Sequence, residues 1–478
     1  MSTFAAPRTR YQALASELAQ AIQAGRLPAG SALPSLRDCA NQRGLSLNTV
    51  TSAYRLLEDQ GLIAARPQSG FYVRSALAEP SASLRSQPSQ VQGSAQQQLM
   101  AEVLEAQGRP GYLNLALAIP KGPRVYPQER LAKVTAALLR QQPALLSHYA
   151  MPPGPLPLRE QVVRRARHLG MALRADDVLI THGALEALQL ALRATTRPGD
   201  TVGIEAPAYF NLYALLASLG LTALEIPTHP QRGLDLDALE TLCEGKRLAA
   251  VVCMPTIHNP LGCSMPVAHK RRLAAMAQQY RLPVIEDIVY AELQYTEPAA
   301  PTVRAFDHEG WVLVCSGFSK AIAPDARLGW VDGGRYAATL RHLKFVSTGG
   351  EPALLCMAVS EFLRNGHYDH HLRGVRRLYE QQVAAVRGLI ASHFPDGTRA
   401  TQPEGGFLLW LQLPGKVDSL ALYRAALTEK IVILPGQVYS QGARYRHCVR
   451  VSCGQEVDAQ YVAGIKTLGR LVQGLLDG

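Results

Sequence analysis

Five short apolar runs punctuate the chain from residue 177 onward, with helix-patterned stretches between them. They are Asp177-Val178-Leu179-Ile180, Thr201-Val202-Gly203-Ile204, LAAVVCMP (248–255), LPVIED (282–287) and WVLVCS (311–316). The first leads into ALEALQLALRA, whose apolar residues recur at helical spacing. A strand that is apolar on both faces must be covered on both, and intervening helices supply that cover. The pattern predicts an α/β body built on a mostly parallel sheet.

At 478 residues the chain is too long for one ordinary core, so two to four folding units are expected. Residues 1–74 are compactly patterned. Residues 75–98, SALAEPSASLRSQPSQVQGSAQQQ, are rich in Ser, Gln, Ala and Pro and read as a flexible linker. Residues 99–478 carry the strand–helix alternation. No apolar run reaches the ~18–20 residues of a membrane helix, and no leader opens the chain, so a cytoplasmic protein with no membrane partner is expected. Eight scattered cysteines lack any C-x-x-C pair and sit mostly in apolar segments, which points to reduced core thiols and no metal site. The net charge of +11 permits nucleic acid without requiring it.

In the first zone, apolar residues at 11, 14, 18 and 22 mark a helix ending by Gly25. LPSLRDCANQRG starts a second helix near Pro34 or Ser35 and closes it by Gly44. SLNTVTSAYRLLEDQG is a third, with Ser46 as N-cap and Gly61 as stop. LIAARPQSGFYV follows as two strands around a turn at Gln68-Ser69-Gly70. Three helices and a hairpin make a winged helix-turn-helix. Ser46, Asn48, Thr49, Thr51 and Ser52 place small polar groups at the start of the third helix, within reach of base edges and phosphates. Arg37 is a further phosphate or base contact. A plain helical packing domain would also account for these residues taken singly. Together, G-x-L-x-x-G-x-x-LPS-x-R, S-x-NTV-x-x-AY and the wing glycine Gly70 resemble the GntR-type DNA-binding domain, which implies double-stranded DNA as partner. Leu47 stands where that family often has a basic residue, shifting base readout toward Arg37, Asn48 and the wing.

The chain uses nine lysines against forty arginines, so a lysine at 320, in SGFSKAIAPDARLGW, needs a reason. Only a primary amine can condense with an aldehyde; a guanidinium cannot. An aldehyde cofactor such as pyridoxal 5'-phosphate also needs an acid at its ring nitrogen, partners for its phenolic oxygen, an anion cup and a stacking face. Asp287 ends one apolar run and Tyr290 follows it. Asn259 leaves another in PTIHNPLG, and EAPAY offers Tyr209 as a stacking face. LITHGALEALQLAL is a strand, a glycine turn and a helix start, so amides of Gly183, Ala184 and Leu185 can cradle phosphate. Ser319 and Arg327 flank Lys320, and Arg327 can clamp the same anion. Arg450, in HCVRVSCG, is a forked donor suited to a substrate carboxylate. Singly, each has a duller explanation: a cap, a turn, a core-edge tyrosine or a surface arginine.

Their order, T-x-G, E-x-P-x-Y, NP-x-G, D-x-x-Y, S-K-x(6)-R and a late Arg, resembles the class I, fold-type I aminotransferases over residues 110–475. PEGGFLLW and VILPG fall in the usual places. The resemblance implies a large domain binding pyridoxal 5'-phosphate as a Lys320 imine and a small α+β subdomain from the chain ends. It also implies a homodimer in which Tyr149 reaches the partner's phosphate. The chain departs from the pattern at Ala184, Leu185, Leu261 and Gly317, where hydroxyls or an amide are usual. Losing two hydrogen bonds of ~1.5–3 kcal/mol each to a charged phosphate predicts cofactor binding weaker by roughly a hundredfold or more, unless neighbours compensate.

Head, linker and body in this order resemble the MocR group of bacterial transcriptional regulators. That resemblance implies a DNA-binding dimer that senses the cofactor or an amino acid or amine effector. Two alternatives stay open: a working aminotransferase with an appended DNA-binding domain, and a DNA-binding protein whose body serves only to dimerise. Turnover and cofactor absorbance distinguish them.

Overall fold

The computed structural model describes residues 9–23, 26–28, 30–60, 62–66, 70–73, 93–415 and 417–477. The head comprises α1 (Arg10–Gln23), α2 (Leu36–Arg43), α3 (Leu47–Asp59), β1 (Ile63–Arg66) and β2 (Gly70–Val73). Leu14, Leu18 and Ile22 face its core with Val50, Tyr54 and Leu57. Ser35 caps α2 by accepting from the Asp38 amide at 3.2 Å, and Gly44 ends it in the left-handed region with φ +61°. The antiparallel β1–β2 hairpin is the wing, and Leu33 and Val73 extend it through backbone bonds to Phe71 and Ser31. The expected stops at Gly25 and Gly61, and turn residues 68 and 69, lie outside the described residues, as do 75–92 of the expected linker. From Gly93 that interval is helical rather than linker: α4 runs Gly93–Gln107. Its later residues supply the reason, since Val103 and Ala106 are buried in the core of the small subdomain.

Beyond α4 the order is β3 (Leu113–Asn114), α5 (Gln128–Gln141), α6 (Leu156–Ala166), β4 (Val178–Thr181), α7 (Gly183–Thr195), β5 (Thr201–Ala206) and α8 (Phe210–Ser218). Then follow β6 (Thr222–His229), β7 (Gly233–Leu234), α9 (Leu236–Glu244), β8 (Ala250–Cys253), α10 (Val267–Gln279), β9 (Val284–Asp287), β10 (Val312–Gly317) and β11 (Gly329–Asp332). The chain closes with α11 (Ala337–Ser347), α12 (Ala353–Arg364), α13 (His367–His393), β12 (Arg399–Ala400), β13 (Leu408–Gln412), α14 (Ser419–Thr428), β14 (Ile431–Val432), β15 (Leu434–Pro435), β16 (Cys448–Ser452) and α15 (Ala459–Asp477).

All five apolar runs are strands of one eight-stranded sheet, in the order β4-β11-β10-β9-β8-β5-β6-β7. Neighbours from β10 through β6 are parallel, and β11 runs against both β10 and β4. Helices cover both faces, as strands buried on both sides demand. A second, antiparallel sheet, β12-β13-β16-β15, sits in the small subdomain with the β3–β14 pair. Its core joins Val103, Leu113 and Leu115 to Trp410, Tyr461 and Val472, so both ends of the body meet there. All eight cysteines are buried. No described helix is long and apolar enough to cross a membrane, and no cluster of metal-ligating side chains occurs among the described residues.

Candidate functional site

Parallel strands end together, and side chains just past those ends share one crevice. Here β5, β8, β9 and β10 are consecutive neighbours, and they deliver Tyr209, Asn259, Asp287 and Lys320 to the same edge. In register, Asp287 lies beside Cys315, five residues before Lys320. Asp287 is buried, accepts from the Val289 amide at 3.0 Å, and is pushed up to about 6 chiefly by desolvation, with Lys320 pulling it down and Glu205 and Glu286 pushing it further up. Lys320 is pushed down to about 8 by burial and by Arg450 and Arg327, against the attraction of Asp287. Its Nζ lies 5.8 Å from the Tyr290 ring centre and donates to the Ala118 carbonyl at 2.7 Å. Tyr290 is buried, its phenol raised well beyond the ordinary range by desolvation, and its ring packs edge-on to Phe407.

Tyr209 stands at the start of α8 and, with Leu188, Glu205, Met254 and Asp287, lines a partly open pocket. Arg450 is fully buried; it donates to Asn259 Oδ1 at 3.0 Å and to the Ala116 carbonyl, while its Nε has no partner among the described residues. A buried guanidinium with an unmade bond and no carboxylate is suited to an anion.

The expected anion cup falls where β4 turns into α7. Gly183 has φ +74°, and a Cβ there would meet Arg327 Nη2 at 2.9 Å. The Arg327 guanidinium therefore lies directly against the first turn of α7, and Arg327 itself holds φ +50° to reach it. A Cβ on Gly329 would strike the Gly183 carbonyl carbon at 2.4 Å, and one on Gly317 would lie 3.3 Å from the Ala184 amide nitrogen. Glycine at 317 thus leaves that amide uncovered, which gives the absent hydroxyl a geometric reason. Arg327 has no carboxylate within ion-pair distance among the described residues, so its guanidinium stands beside the first turn of α7 without a counter-ion.

Ser319 is half-buried beside Lys320, and its carbonyl accepts from the Tyr126 hydroxyl at 3.3 Å. Tyr149 is not in the crevice: it is 93 % exposed on the loop before α6. The Leu185 side chain also points outward, 40 % exposed. In the head, Ser46 accepts from the Thr49 amide at 3.2 Å, while Arg37, Asn48, Ser52 and Gly70 are exposed, with Gly70 at φ +93°.

Two residues of the crevice lay unread inside quoted motifs. Glu205, of EAPAY, is buried, accepts from the Met254 amide at 2.7 Å and lies 3.2 Å from buried His258, of PTIHNPLG. An acid within an apolar strand was the available signal. Glu205 sits near enough to Asp287 to raise its proton affinity. The carbonyls of Ala116 and Ala118 carried no side-chain signal at all.

The family model for aminotransferases of class I and II matches residues 122–465, and that for bacterial regulatory proteins of the gntR family matches 10–73. An uncharacterized HTH-type transcriptional regulator of Escherichia coli, YjiR, is 35 % identical over 97 % of this chain and 99 % of its own length. The 2-aminoadipate transaminase of Thermus thermophilus is 30 % identical over 80 % of this chain and 96 % of its own. The crystal structure of LysN, an α-aminoadipate aminotransferase of the same species complexed with N-(5'-phosphopyridoxyl)-L-leucine, aligns with TM-score 0.73 at 28 % identity, covering 81 % of this chain and 96 % of that one.

Proposed function

The chain belongs to the class I and II aminotransferase family and carries a gntR-family head, and from that premise we propose a DNA-binding transcriptional regulator whose body holds pyridoxal 5'-phosphate and reads an amino acid or amine. The observation that carries this reading is the crevice itself: Lys320, Arg327 and Arg450 lie around Asp287, and none of the three has an ion pair among the described residues, while the neighbouring Glu205 is paired with His258. Three cations without an ion pair suit a ligand bearing both a phosphate and a carboxylate.

In this reading residues 1–74 bind DNA, the linker occupies the 75–98 interval up to the start of α4, and 99–478 form the sensing body, working where the genome is, in the cytoplasm. Amides of Gly183, Ala184 and Leu185 with Arg327 would hold the phosphate. Asp287 would keep a proton on the ring nitrogen, and Tyr290 and Asn259 would face the phenolic oxygen. Tyr209 would cover a ring face, and Ser319 would line the turn beside Lys320. When bound, the cofactor supplies an aldehyde that captures primary amines reversibly. Lys320 serves as the exchangeable amine, since a group pushed down to about 8 is partly neutral at physiological pH. Arg450 binds an effector carboxylate through the donors, Nε among them, that its bonds to Asn259 and Ala116 leave open. A contact made only in the bound state gives the two states the differential interaction a switch requires. On the head, Arg37, Ser46, Asn48, Thr49, Ser52 and Gly70 would meet DNA.

Exposed Leu146, Tyr149, Met151 and Leu156 gather on and beside one loop, and a second copy of the chain is the cover they fit; in that homodimer Tyr149 reaches the partner's cup. The co-location of Lys320, Asp287 and Arg450 also favours a second reading, slow transamination by the same crevice.

The test is absorbance on adding pyridoxal 5'-phosphate to the full chain. A saturable visible band is expected, absent in Lys320→Ala, together with promoter-fragment binding that an amino compound changes. A band that survives Lys320→Ala sinks the cofactor site. Turnover of amino and keto acids at ordinary enzyme rates, without effect on DNA, promotes the second reading.

A further inference from the structure

Lys344 is another of the nine lysines and is 1 % exposed, in the last turn of α11. Its Nζ donates to Glu186 Oε2 at 2.7 Å and to Glu351. Glu186, in the first turn of α7, also accepts from the backbone N–H of His182 at 2.6 Å and from the Thr348 hydroxyl. The second oxygen of Glu351 lies 3.3 Å from His182 Nδ1. Burial alone would raise the Glu186 carboxyl, but bonds from Lys344, Thr348 and the His182 amide hold it below its ordinary range. It is an ionised carboxylate.

Its position matters. Glu186 is fastened to the amide immediately before Gly183, on the turn against which Arg327 lies. A carboxylate there repels any second anion brought to the same turn, and in partly buried surroundings that repulsion is weakly screened. Lys344 offsets part of it, since its single charge is shared between Glu186 and Glu351. Through Glu351 the same lysine reaches the 349–351 turn, which packs so tightly on the Tyr149 loop that a Cβ on Gly350 would sit 1.7 Å from the Ala150 carbonyl oxygen.

We propose that Lys344 is a positioning residue for the cofactor phosphate: it offsets the charge of Glu186 and ties the start of α7 to the loop carrying Tyr149, so the cup accepts a phosphomonoester only while this buried bridge is intact. The inference rests on the reading that the cup holds the phosphate of pyridoxal 5'-phosphate. It adds a requirement that none of the crevice residues reveals.

The test titrates the full-length protein and its variants with pyridoxal 5'-phosphate and, separately, with pyridoxal, which lacks the phosphate, following visible absorbance. Lys344→Met is expected to weaken the phosphorylated ligand about tenfold or more and leave pyridoxal unchanged. Glu186→Gln should bind the phosphorylated ligand at least as tightly as wild type, because it removes the repelling charge. The double variant should bind the phosphorylated ligand more tightly than Lys344→Met does, although Glu351 is left without its lysine. If Glu186→Gln weakens binding as much as Lys344→Met, or the double variant fails to recover, the bridge is merely packing and the proposal falls. Should Lys344→Met not fold, Glu186→Gln alone decides, since a packing role predicts loss and the charge role predicts none. A wild type that binds neither aldehyde overturns the cofactor reading and the bridge with it; a wild type that binds while Lys344→Met is unchanged overturns the bridge alone.

Discussion

Two helix starts in this molecule are proposed to meet phosphate, and they are built in opposite ways. At α3 the N-cap hydroxyl of Ser46 is turned onto its own helix, accepting from the Thr49 amide and lying 2.8 Å from the Thr49 hydroxyl, and Thr51 bonds back to the Leu47 carbonyl. The Thr49 amide is already taken by Ser46, and what α3 adds is side chains: Asn48, Ser52 and the neighbouring Arg37, all exposed. At α7 the N-cap His182 makes no side-chain cap to the helix, and Gly183, Gly317 and Gly329 clear the space before its amides. What α7 offers is backbone, backed by one guanidinium. A surface that reads with side chains loses a little with each side chain removed. A surface that reads with backbone fails when a side chain is added.

The largest contrast therefore comes from adding one methyl group. Gly183→Ala forces a Cβ to 2.9 Å from Arg327 Nη2 at φ +74°, where L-residues are strained. It should cost about 1–2 kcal/mol of body stability and weaken pyridoxal 5'-phosphate roughly tenfold to a hundredfold, while DNA binding by the head is unchanged. Calorimetry and absorbance titration check the first two, and a mobility shift checks the third. An alanine variant that binds the cofactor normally would mean the first turn of α7 does not face the phosphate.

Next comes pH, which acts on the body and not on the head. The neutral amine is the nucleophile, and burial beside Arg450 pushes Lys320 down to about 8 from 10.5. At pH 8 about half the amine is neutral, against roughly 0.3 % for an ordinary lysine. The initial rate of cofactor capture, followed by stopped-flow absorbance, should rise about tenfold from pH 7 to 9 and then level off. A rate still climbing tenfold per pH unit at 9.5 would show an unshifted lysine and remove the electrostatic part of the argument.

The body's architecture was legible because five strands buried on both faces leave a continuous apolar trace, and all five are strands of one sheet. The head was legible through its caps: Ser35, Gly44 and Ser46 stand where side-chain and left-handed capping demanded them. The linker's end was not. Composition resembling a linker continues to residue 98, yet the apolar face of α4, with Val103 and Ala106 buried far along the chain from their partners, draws the helix back to Gly93. Within the crevice, residues at strand ends were legible because strand ends are predictable. Arg327's approach to Gly183 was not, since it depends on β11 passing within a methyl's breadth of the α7 turn. The scarcity of lysine pointed to Lys320 and would equally have pointed to Lys344 and the fully buried Lys270. Nothing local distinguishes a lysine that bonds an aldehyde from one that balances a carboxylate.

On the head, the side-chain reader should degrade gradually. Arg37 is exposed in the first turn of α2, with no carboxylate paired to it among the described residues. As a phosphate contact, its removal in Arg37→Ala should weaken binding severalfold across all sequences and flatten the logarithmic salt dependence by about one. As a base contact it should instead cost about 1–3 kcal/mol at one position of the site and leave the salt slope nearly unchanged. Fluorescence anisotropy at several salt concentrations separates the two, and a variant indistinguishable from wild type in both would take Arg37 off the interface.

The smallest effect is the most diagnostic of the contrast. Ser46→Ala removes a cap that α3 uses for itself, which should cost about 1 kcal/mol of head stability and lower the head's thermal midpoint by roughly 4–8 °C. Because the hydroxyl is already turned onto the Thr49 amide, affinity for DNA at low temperature, where the head remains folded, should change by less than about threefold. If affinity instead falls tenfold with the midpoint unmoved, Ser46 gives its hydroxyl to DNA. The start of α3 would then resemble that of α7 more than the hydrogen bonds of the free protein suggest.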